Sequence, residues 1–147
     1  MHTARLMTGD RELAKKLFAM MAEVFGEEHE RLSDAYVHQL LSQSTFNAIA
    51  AFDENEMIGG LTAYVLQKTT SESSELFLYD VAVRKSHQRR GVGRLLMTAL
   101  RDEARNAGIE EAFVLADNED VHALDFYRAL GGRASQVTLF TLLNQQK

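Results

Sequence analysis

The sequence predicts a single mixed α/β domain, residues 1–147, in which helices flank a β-sheet. Three observations support this class. The chain has 147 residues, a length typical of one compact core. Apolar residues recur first at helical spacing, then in strand-like runs, and then at helical spacing again. The second half reads strand, helix, strand, the order of a parallel βαβ unit, so the sheet should be mixed.

The first half of the chain, after a short strand or coil, predicts two helices and a hairpin. Apolar residues recur at helical spacing from Asp10 to Phe25 and from Ser33 to Leu41, and each stretch begins with a residue that caps helices. The runs 46–52 and 57–66 are strand-like. The polar residues 53–56 between them favour a tight turn between antiparallel strands.

The second half predicts three strands and two helices. The aromatic and β-branched run Leu76–Val83 predicts a strand, and the helical spacing from Val92 to Ala107 predicts the helix that follows it. A short buried strand is expected at Ala112–Ala116 and a short helix at Ala123–Leu130. The run Val137–Leu143 predicts a last strand.

Composition excludes several functional classes. No apolar run reaches the roughly 20 residues that cross a bilayer, and the first residues do not resemble a secretory signal, so we expect a cytoplasmic protein. The chain has no cysteine, which excludes thiolate metal sites and a cysteine nucleophile. A formal charge of −5 argues against broad nucleic-acid binding. The histidines lack metal-ligand spacing, and we expect surface or local hydrogen-bonding roles for His29, His38, His87 and His122.

Basic residues nevertheless concentrate between positions 84 and 94, within an acidic chain. The turn Gln88–Gly93 lies directly between the strand Leu76–Val83 and the helix that follows. Its two glycines would let a phosphate approach the backbone, and the helix start would supply free amides. The turn therefore predicts an anion site, with a glycine-rich solvent turn as the alternative.

Two motifs carry a family resemblance. The pattern Gln88-x-x-Gly91-x-Gly93 after a V-x-V strand end resembles the acetyl-coenzyme A signature of the GNAT superfamily of N-acetyltransferases. The segment from Ala123 through Tyr127 to Gly131 resembles that superfamily's A-x-x-x-Y-x-x-x-G helix. The resemblance implies the GNAT-like mixed sheet, splayed at its centre and flanked by helices. Residues 40–131 are more narrowly similar to aminoglycoside 3-N-acetyltransferases of type I.

The resemblance also implies how a cofactor binds. Main-chain groups of the turn would hold the pyrophosphate, and the end of the preceding strand would pair with the pantetheine arm, which can act as a surrogate strand. The cofactor-binding residues so implied are Val81, Ala82, Val83, Gln88, Arg89, Arg90, Gly91, Val92, Gly93, Arg94, Asp120 and Phe126. Tyr127 lies where the superfamily commonly has a tyrosine that protonates the departing thiolate. Its apolar neighbours leave a core tyrosine as the alternative.

Acetyl transfer to an amine requires a group that holds a cation and removes a proton. Asp80 is a charged residue inside the apolar run 76–83, and an unpaired carboxylate there is costly unless it meets a cation. The resemblance assigns Tyr79 and Asp80 to the acceptor site, and an ion pair within the chain is the alternative for Asp80. Further acidic residues expected to contact the acceptor are Asp117 and Glu119, with Glu75 and the cluster at 23–30 as outer contacts. A solvated helix face or loop is the alternative for both acidic clusters.

Together these residues predict an enzyme that transfers acetyl groups from acetyl-coenzyme A to a polycationic small molecule. The 3-amino group of an aminoglycoside, acetylated as a resistance reaction, is the favoured acceptor. A polyamine or protein amine acetyltransferase and a non-catalytic acyl-coenzyme A sensor remain alternatives. We expect direct transfer, Asp80 and Tyr127 as catalytic residues, no metal, and no nucleic-acid or membrane partner; a homodimer stays open.

Overall fold

The computed structural model describes residues 1–144 and contains one five-stranded sheet. The strands are His2–Arg5 (β1), Phe46–Asp53 (β2), Glu56–Gln67 (β3), Ser74–Val83 (β4) and Ala112–Val114 (β5). The helices are Arg11–Phe25 (α1), Asp34–Ser42 (α2), Val92–Asn106 (α3) and Val121–Ala129 (α4). The strand order is β1-β2-β3-β4-β5. Strands β1 to β4 are antiparallel, and β5 runs parallel to β4, so the mixed α/β class is confirmed.

The chain forms two compact units, which are described separately. Met1–Leu115 contains the whole sheet together with α1, α2 and α3. The second unit begins at Ala116 and contains α4. Within the described residues, no helix is both long enough and apolar enough to cross a bilayer. The prediction of one domain over residues 1–147 stays a prediction.

The first unit has a core on each face of the sheet. On one face, Leu17 and Met20 of α1 and Val37 of α2 pack in a cluster of buried residues that includes Phe46 and Ala48 of β2. The other face is covered by α3, whose Val92, Leu96 and Leu100 are almost completely buried. The helical spacing in the sequence identified the buried side of both α1 and α3.

Two adjacent glycines of β3 let helices approach the sheet on both faces. A Cβ at Gly59 would lie 2.9 Å from the carbonyl oxygen of Ala82 and 3.2 Å from Cγ1 of Val92, the first residue of α3. A Cβ at Gly60 would overlap Cδ1 of Leu17 in α1. Val92 of α3 and Leu17 of α1 therefore pack directly against the β3 backbone at these glycines, a close approach that the sequence pattern does not predict.

The last predicted strand is not present in the described structure. Residues 137–143 have no sheet partner, and Phe140 is 79% exposed. A strand needs hydrogen-bonded neighbours, and an apolar run with β-branched residues does not supply them by itself. The short strand after α3 ends at Val114 rather than at Ala116, and the prediction that it is buried is wrong, since Phe113 is 40% exposed.

Candidate active site

The turn Gln88–Gly93, predicted to bind an anion, leads into the start of α3, where there is free space beside the backbone. Gly91 precedes α3 with φ +82°, a left-handed conformation that favours glycine. No atom lies within 4 Å of the position that its Cβ would occupy. The first hydrogen bond of the helix runs from the Leu95 amide to the Gly91 carbonyl at 2.9 Å, so the amides of the first turn are left to another acceptor. An anion fits there, at the positive end of the helix.

Side chains of the turn hold its shape. Gln88 donates from Nε2 to the carbonyl of Val83 at 3.0 Å, which joins the turn to the end of β4. Arg89 has φ +62°, an uncommon conformation for a residue other than glycine. The side chains of Arg89, Arg90 and Arg94 are exposed and surround the helix start. A strained turn with three guanidinium groups is the arrangement expected of an anion-binding segment.

A buried histidine fixes the other side of the turn. His87 is 7% exposed, with Nδ1 2.8 Å from Oγ of Ser86 and Nε2 3.1 Å from Oδ2 of Asp53. Both ring nitrogens therefore have a hydrogen-bond partner. The local hydrogen bonds expected for His87 are present, but the side chain is buried rather than on the surface. Because Asp53 is the last residue of β2, His87 joins the start of the turn at residues 88–93 to the β2–β3 hairpin.

The end of β4 separates from β5. The parallel pairing of the two strands covers Leu76 to Leu78 only. Val81, Ala82 and Val83 therefore continue along β3 without a β5 partner on their other edge. This opening is the splayed centre that the family resemblance implies, and it leaves main-chain groups for an extended ligand.

A β-bulge reorients the residues just before that opening. Thr62 is opposite Asp80 and Ala63 is opposite Leu78, which leaves Tyr79 as the extra residue of β4. Without this extra residue, Asp80 would share a face with Leu78. Because of it, Asp80 faces the same side as Thr62 and Tyr64, towards α1 and α2. Two consecutive side chains, Tyr79 and Asp80, therefore line one cavity.

The cavity has a volume of about 260 Å³ and lies between the sheet and the first two helices. Six of the thirteen residues that line it are aromatic. They are Phe18, Phe25, Tyr36, Phe46, Tyr64 and Tyr79. Asp80 and Glu27 are its two carboxylates. Aromatic faces and carboxylates together favour a ligand that carries positive charge.

Asp80 lies in this cavity without a cationic partner. No basic group among residues 1–144 is within ion-pair distance of it, so the alternative of an internal ion pair finds no support. Burial, and then the charge of Glu27, raises the pKa of Asp80. An unpaired carboxylate in a partly dry pocket is a feature of binding and catalytic sites. A ligand cation would oppose both effects by stabilising the ionised carboxylate.

The other predicted acidic residues have local partners. Glu75 lies near the start of β4, about 16 Å along the strand from Asp80. It does not line the cavity, and its charge acts on Lys68 instead. In the second unit, Asp117 accepts from the Glu119 amide at 3.0 Å. Asp120 caps α4 by accepting from the Ala123 amide at 3.1 Å.

The capping role of Asp120 has a sequence signal that was missed. Because the helix was predicted to begin at Ala123 rather than Val121, Asp120 was not recognised as its cap. Phe126 and Tyr127 are both half-buried on α4, with ring centroids 5.2 Å apart. Gly131, at φ +91°, ends the helix, and Gly132 donates to the Tyr127 carbonyl at 2.9 Å.

A comparison with protein families decides the family. Residues 14–131 match the family model described as Acetyltransferase (GNAT) family. The chain belongs to this family. The GNAT chain is thus an acyl-coenzyme A-dependent N-acetyltransferase, which confirms the enzyme class expected from its motifs.

Solved structures similar to this GNAT chain include aminoglycoside acetyltransferases. One, HMB0005 from an uncultured soil metagenomic sample, is 33% identical, with a TM-score of 0.91 and 97% of each chain covered. A second, meta-AAC0020 in complex with sisomicin, also from such a sample, is 32% identical, with a TM-score of 0.90. It covers 98% of this chain and 95% of its own. An aminoglycoside N-acetyltransferase AAC(6')-Iy in complex with CoA, at 18% identity and a TM-score of 0.81, shares the fold.

The first unit of the GNAT chain brings several of the predicted residues together. Three features follow one another along the chain from β4 into α3. They are the cavity at Tyr79–Asp80, the unpaired end of β4 and the turn at residues 88–93. The open position at Gly91 and the free first turn of α3 fit a pyrophosphate. Glu75 is not brought into this arrangement, and the residues of α4 are placed within the second unit.

Proposed function

We propose that this GNAT chain transfers the acetyl group of acetyl-coenzyme A to a primary amine of a polycationic small molecule, with the 3-amino group of an aminoglycoside as the favoured acceptor. The observation that carries the proposal is the unpaired carboxylate of Asp80 in an aromatic cavity beside the open end of β4. The similarity to aminoglycoside acetyltransferases over nearly the whole chain supports the choice of acceptor.

The residues of the first unit would hold the donor at two places. Amides of the turn from Gln88 to Arg94 bind the pyrophosphate at the start of α3, and the main chain of Val81–Val83 pairs with the pantetheine arm. When bound, acetyl-coenzyme A supplies an acyl carbon activated as a thioester. The chain's own task is then to orient the amine and to move one proton from it.

Asp80 would bind the acceptor as an ammonium and assist its deprotonation. An ammonium has no lone pair, so the attacking nitrogen must lose a proton before or during attack. The raised pKa of Asp80 makes its carboxylate a better base than an exposed aspartate, because burial disfavours the charged form. Tyr127 would donate the proton that the leaving sulfur needs, a role that rests on the family's helix motif.

The test of this function is the release of free thiol from acetyl-coenzyme A with a panel of amines. We expect gentamicin and sisomicin to be acetylated, and spermidine and a lysine peptide to react more slowly. Product analysis by NMR identifies which amino group carries the acetyl group. Faster reaction of spermidine or the peptide would replace the aminoglycoside as acceptor. Binding of acetyl-coenzyme A without turnover of any amine would favour a sensor.

The contribution of Asp80 is tested in the same assay. Asp80→Asn keeps the shape of the side chain and removes its charge, so we expect at least about 10²-fold lower turnover. Acetyl-coenzyme A binding should change little, because the cavity lies on the α1 and α2 side of the sheet and the turn lies beyond the end of β4. Unchanged turnover would remove Asp80 from the chemistry.

A further inference from the structure

Glu27 is the member of the acidic cluster that lines the acceptor cavity. The cluster contains four glutamates within eight residues, at positions 23, 27, 28 and 30. Of these, Glu27 alone lines the cavity that contains Asp80. The cluster as a whole is therefore not the feature of interest, since its other members lie outside the cavity.

The end of α1 fixes the position of Glu27. Gly26 adopts the left-handed conformation at φ +71°, and its amide donates to the Glu23 carbonyl at 3.1 Å. The amide of Glu27 donates to the Ala22 carbonyl at 2.9 Å. These two bonds close the helix with a Schellman motif, so the backbone of Glu27 is attached to α1 rather than belonging to a free loop.

The cavity mouth combines this carboxylate with exposed aromatic rings. Phe25, Tyr36 and Tyr79 are 41%, 51% and 57% exposed, although all three line the same cavity. Exposed aromatics grouped around one opening mark a surface that a ligand covers. Their faces attract cations, and their apolar area suits the C–H face of a ring.

Two like charges in one cavity require more than one positive charge to compensate them. Among residues 1–144, neither Asp80 nor Glu27 forms an ion pair with a basic side chain. Burial, and then the charge of Glu27, raises the pKa of Asp80, so Glu27 is the second cause that disfavours its ionised form. One ammonium at Asp80 leaves Glu27 uncompensated, whereas a ligand with two ammonium groups compensates both.

We propose that Glu27 is a specificity-determining residue that binds a second ammonium group of the acceptor, so that the cavity selects rings carrying two amino groups. The proposal rests on the proposed function, since it assumes that the cavity binds the acceptor. A volume of about 260 Å³ lies just below the roughly 300–1,000 Å³ of sites that enclose drug-sized ligands. The cavity therefore accommodates one ring of a larger polyamine, with the remainder outside.

The test compares Glu27→Gln with the matched variant Glu28→Gln, which removes the same charge outside the cavity. Steady-state kinetics use sisomicin, 1,3-diaminocyclohexane and cyclohexylamine as acceptors. We expect Glu27→Gln to raise KM about fivefold for the two polyamines, the effect of one exposed ion pair, with kcat within twofold. KM for cyclohexylamine should not change, and Glu28→Gln should behave as wild type with all three.

A pH profile gives a second readout that a structural role would not change. The polar groups around Asp80 come from four elements: Glu27 at the end of α1, Tyr36 of α2, Thr62 and Tyr64 of β3, and Tyr79 of β4. Glu27 is the carboxylate among them. Its removal should lower the pKa of Asp80 and move the acid limb of kcat/KM to lower pH, and Glu28→Gln should leave the limb in place.

The outcomes separate this inference from the proposed function. If wild-type enzyme acetylates sisomicin while Glu27→Gln retains its KM and its acid limb, Glu27 does not bind the acceptor and the inference is overturned alone. An equal rise in KM for cyclohexylamine also overturns it, because a single ammonium would not need Glu27. Wild-type enzyme that acetylates none of the amines overturns the proposed function and this inference with it.

Discussion

Replacing either glycine of the Gly59–Gly60 pair should weaken the binding of one substrate and leave the binding of the other unchanged. Gly59→Ala places a methyl group 2.9 Å from the Ala82 carbonyl oxygen and 3.2 Å from Val92, where α3 begins. Gly60→Ala places a methyl group in overlap with the side chain of Leu17 in α1 and 3.0 Å from the Ile49 carbonyl oxygen. The first substitution thus displaces the start of α3, where the proposed function puts the pyrophosphate, and the second displaces α1, which borders the cavity that contains Asp80.

The magnitude follows from two opposing effects on the free energy of unfolding. Restricting the unfolded chain by Gly→Ala stabilises by about 0.4–1 kcal/mol where the native conformation permits alanine. Overpacking costs about 1–3 kcal/mol, and it dominates because the nearest atom to Gly59 is backbone and Leu17 beside Gly60 is completely buried. A net loss of about 1–2 kcal/mol corresponds to a Tm lower by about 3–6 °C in a chain of this size.

The kinetic effect is smaller but specific. A misplacement of 1 Å can cost about 10²-fold in catalytic efficiency. A shift of a few tenths of an ångström at α3 should therefore have a smaller effect, a rise of about fourfold in KM for acetyl-coenzyme A in Gly59→Ala. Gly60→Ala should instead raise KM for the amine. Thermal denaturation and thiol-release kinetics measure both effects. Gly9→Ala is the matched control, because its Cβ would meet no atom within 4 Å.

Two results would refute the reasoning about these glycines. Wild-type Tm and KM values in Gly59→Ala would show that the helix start does not depend on close approach to β3. Equal changes in both KM values for both variants would show general loosening rather than displacement of one helix each.

Four further predictions concern the site. Because burial raises the pKa of Asp80, folding favours the protonated form of its carboxyl group. The stability that this group contributes is present below the usual carboxyl pKa of about 3.9 and is lost as pH rises through the raised value. Asp80→Asn should therefore have a higher Tm than wild type at pH 7, and the difference should vanish near pH 3. Gly91→Glu should abolish the rise in Tm that acetyl-coenzyme A causes, whereas Gly108→Glu, which imposes similar backbone strain beyond the other end of α3, should retain it. Tyr127→Phe should lower kcat about 10²-fold at neutral pH if the phenol is the acid; a lower Tm with unchanged kcat would instead identify a packing tyrosine. Asp53→Asn removes the carboxylate partner of the buried histidine beside the phosphate turn, so it should raise KM for acetyl-coenzyme A more than KM for the amine in parallel titrations.

Local sequence signals predicted the turn at residues 88–93 and the helix after it. The glycines of the turn and the helical spacing depend on residues close together in the chain, and the structure has α3 beginning directly after Gly91, as expected. The confirmed mixed sheet follows from the same kind of signal, since strand and helix periodicities differ.

Features that depend on partners distant in sequence were not predictable. The bulge at Tyr79 exists only in the pairing of β4 with β3, and the close approach at Gly59 and Gly60 depends on how the helices pack. The burial of His87 depends on Asp53, which is 34 positions away. The run 137–143 shows the converse, because it has the residue composition of a strand but no neighbouring strand in the described structure.

The bulge in β4 also determines which substitutions the protein can tolerate. In a regular strand, successive side chains point to opposite faces of the sheet. A residue that faces a cavity therefore has neighbours in the chain that face the core on the other side. At Tyr79 and Asp80 two neighbouring positions face the cavity together, while Leu78 remains in the core on the opposite face. Tyr79 can therefore vary in size and charge without altering the packing under α3, while Asp80 beside it keeps the carboxylate that the reaction needs. Acceptor preference can change at this one position at little cost to the stability of the sheet.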